Sequence, residues 1–197
     1  MSEMVRSLER TFATTAGAIA AAQPEALEAA TPCDGWTVRD VANHVVGSLH
    51  IFARTVEGRF DPAEVRSDAP DPDHLGDDPA AAYRDAAARC LASFDRPGVL
   101  DREYDFVSGP TPGSVIATIA LQESLIHGWD IAQGAGVGYE PDPEAVEVVA
   151  AFNVEQPDDN VRRRGMFGPP QPMSPGASDF EVLLGRLGRR PSGSVGT

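Results

Sequence analysis

A chain of 197 residues, 42% hydrophobic and 23% charged, is long enough to bury one substantial core and short for two domains. Thirty acidic residues against sixteen basic ones leave a formal charge of −14, which repels nucleic acid and anionic lipid and argues against both as partners. All sixteen basic residues are Arg, which excludes Schiff-base chemistry, lysine-held pyridoxal phosphate and a phosphate-loop lysine.

Residues 3–22 carry Met4, Val5, Leu8, Phe12, Ala16 and Ile19 at three- and four-residue intervals, which predicts an amphipathic helix. The Ala-rich run from Ala16 to Ala22 has the composition of a secretory signal, but Glu3 and Glu9 precede it and it continues the helical pattern. The expectation is a cytoplasmic protein with a helical start. No apolar run approaches the roughly 18 residues that a membrane span needs.

The pattern breaks at Thr31-Pro32-Cys33-Asp34-Gly35-Trp36. Thr37 then reads as an N-cap with Asp40 three residues on, opening a helix from Val38 to about Glu57. Val41, Val45, Leu49, Phe52 and Val56 form its apolar face, and His44 flanks that face. Residues 58–78, rich in Asp, Pro and Gly, predict a surface loop. Pro79 opens a third helix to about Phe94, with Tyr83, Ala87, Cys90, Leu91 and Phe94 on its buried side.

Val99 to Val107 alternates weakly and predicts extended chain. Gly109-Pro110-Thr111-Pro112-Gly113 reads as the approach to a fourth helix, about Ser114 to Gln133, stopped at Gly134. Gly134, Gly136 and Gly138 follow a helix and not a strand, so they are terminators and not a dinucleotide-binding loop. A further helix over about Pro143–Val154, a surface stretch from Gly165 to Gly176 and a short helix over about Asp179–Leu187 complete the pattern. The expected architecture is all-α: a four-helix bundle with long connections and a short C-terminal extension, one domain over 1–190 with a disordered tail at 191–197.

Glu123 and His127 are spaced i, i+4 and project from one side of the fourth helix, together with Ile116, Ile119 and Ala120. A carboxylate and an imidazole on a core-facing stripe are costly unless something pairs or binds them, and a divalent metal does both. With His44 they give two imidazoles and one carboxylate, the donor set of a catalytic zinc site that keeps one position open. Nickel, iron and manganese suit the same donors. Asp130, one turn past His127, is placed either to orient a ligand or to pack; Asp40 leans towards capping. Trp36 and Trp129 read as core anchors, and His50 and His74 as surface or packing residues. Cys33 and Cys90 are in no zinc-finger spacing; Cys90 reads as a core thiol, Cys33 as a loop residue before a helix start. The basic run Arg162–Arg164 follows Asp158 and Asp159 and reads as local surface pairing.

Two motifs in this order, Thr31-Pro32-Cys33-Asp34-Gly35-Trp36-Thr37-Val38-Arg39-Asp40-Val41 with His44, and Glu123-Ser124-Leu125-Ile126-His127-Gly128-Trp129-Asp130, resemble the metal-binding N-terminal domain of mycothiol-dependent maleylpyruvate isomerases, within the DinB/YfiT-like helical superfamily. The turn Gly165-Met166-Phe167-Gly168-Pro169 and the closing Leu187-Gly188-Arg189-Arg190-Pro191 resemble a compact single-domain branch, since the isomerases carry a second, C-terminal domain. The resemblance implies a DinB/YfiT-type bundle. It also implies a divalent metal, usually zinc, on His44, Glu123 and His127, and a low-molecular-weight thiol such as mycothiol as cofactor.

Three functions fit these residues. The first is a thiol-dependent isomerase or transferase acting on a small electrophile, with no protein nucleophile required. The second is a metal-dependent hydrolase, for which no general base stands out. The third is a non-catalytic metal-binding or ligand-sensing module.

Overall fold

The computed structural model describes residues 1–61, 72–155 and 167–191. Helix α1, Glu3–Ala21, begins where Ser2 Oγ accepts the Val5 N–H at 3.3 Å. A 3₁₀ turn, Pro24–Glu28, leads to the Thr31–Trp36 break. Helix α2, Val38–Val56, is opened by a full capping box: Thr37 Oγ1 accepts the Asp40 N–H, and Asp40 Oδ2 accepts the Thr37 N–H at 2.9 Å. These bonds to Thr37 hold the Asp40 carboxyl below its ordinary pKa. Helix α3, Pro79–Phe94, has Asp78 as N-cap, its Oδ1 accepting the Ala81 N–H at 2.9 Å.

The weakly alternating segment is half of a hairpin. Strand β1, Glu103–Phe106, pairs antiparallel with β2, Gly109–Pro112, so that Glu103 faces Pro112 and Phe106 faces Gly109. The Gly109–Pro112 segment is therefore a strand, where the sequence predicted only an approach to a helix. Two prolines disguise it, because neither can donate to a ladder and both are tolerated only at an edge.

Helix α4, Gly113–Ala135, outlasts its predicted stop. Gly134 lies inside the helix, and the residue that ends it is Gly136, left-handed at φ 69°. Gly134 is small for a packing reason: a Cβ there would stand 2.7 Å from Val38 Cγ2 and 3.0 Å from the Ala30 carbonyl. Gly113 is similarly crowded, since a Cβ would meet the Val99 carbonyl and approach Tyr104 Cε2 to 3.1 Å.

Within the unit formed by residues 1–140, α1 packs on α3 and α4, and α2 packs on the same two, which closes a ring of four helices. Leu8, Val41, Val45, Leu49, Ile116, Leu121 and Leu125 are wholly buried there. A second compact unit, 141–197, contains α5, Pro143–Glu155, packed on α6, Asp179–Arg186, which has its own capping box between Ser178 and Glu181. Among the described residues the protein is thus all-α apart from one hairpin. Among the described residues, no helix is long and apolar enough to cross a membrane. Residues 62–71 of the predicted 58–78 loop, the Asp158/Asp159 and Arg162–Arg164 groups, Gly165 and Met166, and the tail from 192 lie outside the described residues.

Candidate metal centre

Helix α4 is buried nearly all round, as befits a helix that is apolar on almost every side. One stripe escapes: Val115, Ile119, Glu123 and His127 are half-buried while Ile116, Ala120, Ser124 and Leu125 between them are covered. Glu123 and His127 thus face a partly open edge and not the core, which corrects the expectation of a core-facing stripe. The i, i+4 spacing follows the one strip of α4 that neighbouring helices leave accessible, and a binding site needs that access.

His44 reaches the same edge from α2, which packs directly on α4. Its Nε2 lies 3.1 Å from Glu123 Oε2, and His127 Nε2 lies 3.5 Å from the same oxygen. The side chains are 31%, 20% and 13% exposed for His44, Glu123 and His127. Donor atoms of all three fall within 4.8 Å of one another. This is the trio selected from the sequence, and the fold brings all of it together.

Asp130, 0% exposed, lies directly behind His127. His127 Nδ1 donates to its Oδ2 at 2.9 Å, which turns Nε2 towards Glu123. A buried carboxylate behind an imidazole fixes the orientation of the ring, the usual support of a metal-binding histidine. Trp36 departs from its predicted core role: it is half-buried and stands edge-on to His44, with centroids 5.0 Å apart. The His44 and His127 rings are also edge-to-face, at 5.3 Å. Trp129 is the buried anchor expected of it.

Cys33 has the least anticipated position. Its Sγ, a His127 ring nitrogen and an Asp130 carboxylate oxygen lie within 4.8 Å of one another. The sequence offered its place before α2 but nothing linking it to α4. Cys90, by contrast, is a wholly buried thiol on α3 whose pKa burial drives upward. His50 and His74 are neighbours at 5.8 Å between centroids, outside this cluster; burial and the His74 ring hold His50 below its ordinary pKa.

Behind the site runs a polar seam that periodicity did not reveal. Tyr83 Oη donates to Ser124 Oγ at 3.2 Å, and Thr15 Oγ1 donates to the Ser124 carbonyl at 2.8 Å. Tyr139 Oη donates to that carbonyl at 3.4 Å, and burial raises both tyrosine pKa values. Gly128, next to His127, is kept bare by this seam, because a Cβ there would approach Tyr139 Oη to 2.7 Å.

Residues 8–132 match the family model described as the mycothiol maleylpyruvate isomerase N-terminal domain. Two proteins of Mycobacterium tuberculosis are 32% identical to the chain over 137 residues: uncharacterized protein MT0763 of strain CDC 1551 / Oshkosh and uncharacterized protein Rv0738 of strain ATCC 25618 / H37Rv. In each case the alignment spans 69% of this chain and 70% of the relative. No solved structure matches the chain at a significant level. The matched segment contains Cys33, His44, Glu123, His127 and Asp130.

Proposed function

Because the chain belongs to the mycothiol maleylpyruvate isomerase N-terminal domain family, we propose that it binds a divalent metal, with zinc the best fit, on His44, Glu123 and His127. We infer that it uses this centre in thiol-dependent isomerase or transferase chemistry on a small electrophile, with mycothiol as the thiol. The reading is carried by one observation: two imidazole Nε2 atoms, from α2 and α4, converge on a single oxygen of Glu123. Two neutral imidazoles and one carboxylate suit a borderline-soft cation and leave a position open for a further ligand.

When bound, the metal supplies positive charge that favours the thiolate form of a coordinated thiol, the nucleophilic form. The protein's part is positional. Asp130 holds the His127 proton on Nδ1 and keeps the Nε2 lone pair directed into the site. Trp36 supports the His44 ring from the rim. The half-open stripe on α4 gives a thiol and an electrophile a route to the donors.

Elemental analysis of untagged protein beside His127→Ala tests the metal, and calorimetry with mycothiol tests the thiol. One equivalent of metal in the wild type, lost in the variant, and thiol affinity that rises when metal is present are the expected results. Absence of metal even after zinc is added back, or equal thiol affinity with and without metal, overturns the reading. Turnover of amides or esters without any thiol replaces it with metal-dependent hydrolysis.

A further inference from the structure

We propose that Cys33, His127 and Asp130 form a second, thiolate-bearing site for a soft divalent cation, sharing His127 with the Glu123 centre. The inference rests on the proposed function only in that shared imidazole. Its basis is the donor geometry: the Cys33 sulfur, a His127 ring nitrogen and an Asp130 oxygen lie within 4.8 Å of one another. The donor types matter as much as the distances. A thiolate and a carboxylate together carry the two negative charges that a divalent cation needs, and sulfur shifts preference towards zinc and cadmium over harder ions.

The backbone that carries the thiol is also held in place. Thr31 Oγ1 accepts the Cys33 N–H at 3.1 Å and donates to the Trp36 carbonyl at 2.9 Å, while the Trp36 N–H donates to the Cys33 carbonyl at 3.0 Å. The Ala30–Thr37 bridge closes this turn at its base. Cys33 is half-exposed and in no disulfide, so a cation can reach it, whereas Asp130 anchors the site from the buried side. Placing a cation between His127 and Asp130 competes with the hydrogen bond that now joins them. The second site therefore draws on the same imidazole that serves the first, and the two are linked through His127.

The test is a cadmium titration of the full chain after chelation, read as thiolate-to-cadmium charge-transfer absorption in the ultraviolet. The band is expected in the wild type and in Glu123→Gln, and is expected to vanish in Cys33→Ser. Cys90→Ala, which removes only the core thiol, retains it. A wild type without the band, or a band that persists in Cys33→Ser, overturns the proposal. Zinc content is read separately on each variant as purified, before chelation. Cys33→Ser should keep its zinc equivalent, so loss of the Glu123 centre and loss of the cysteine site give different results.

Discussion

The imidazole of His127 is tied through Nδ1 to the fully buried carboxylate of Asp130, 2.9 Å away, and so meets Glu123 with its other nitrogen. The hydrogen bond spans a single helical turn, so α4 supplies both the candidate ligand and its support.

Asp130→Asn tests what that support contributes. The amide keeps the shape and can still accept from Nδ1, but it lacks the charge that makes Nε2 a strong donor. Metal affinity is expected to fall by about 10–100-fold, the usual consequence of losing such a partner. Competition with a chelator of known affinity measures it. Unchanged affinity would reduce Asp130 to a packing residue.

Two glycine substitutions should move stability in opposite directions. At Gly128 a Cβ has no room against Thr15 and Tyr139, so Gly128→Ala is expected to cost about 1–3 kcal/mol as overpacking. At Gly17, inside α1, a Cβ meets nothing within 4 Å, so Gly17→Ala is expected to stabilise by about 0.5–1 kcal/mol through helix propensity. Thermal melts of both variants against the wild type decide the signs.

Glu57, at the C-terminal end of α2, gives a pH-dependent test away from the donor cluster. Arg89 is the chief cause of its depressed pKa, about 2 instead of 4.5, with Arg59 and Ser93 also bonded to its carboxylate. The folded state holds the ionised form, so the stabilisation is complete above about pH 4.5 and is lost as the pH falls towards 2. Glu57→Gln is expected to cost about 1–3 kcal/mol at neutral pH, as charge-assisted hydrogen bonds are weakened. Denaturant melts across that range should show the two proteins converging in acid; a gap that stays constant would assign the effect to packing.

What the sequence made legible was local or periodic. Thr37 with Asp40, and Asp78 before Pro79, place the starts of α2 and α3 because capping chemistry acts over three residues. His44, Glu123 and His127 were selected by spacing and by family motif, and the fold joins them. What escaped depends on contacts distant in the chain. The prolines of β2 read as the approach to a helix until β1 supplied a partner. Gly134 looked like a stop because the approach of Ala30 and Val38 leaves no local trace. Cys33 and Trp36 reach the site through the fold of the turn before α2, and no periodicity in either segment records that meeting.

The bare positions along α4 have a consequence for the aim of the site. Gly113, Gly128 and Gly134 each lie where a neighbouring group leaves no room for one more carbon, so they act like the cuts of a key. An α-helix turns by about 100° per residue, and a slip of one position would bring a side chain into each of these gaps. The helix therefore seats at one rotation and one height. Glu123 and His127 point outward towards α2 partly because three residues with no side chain, none of them a donor, admit no other seating.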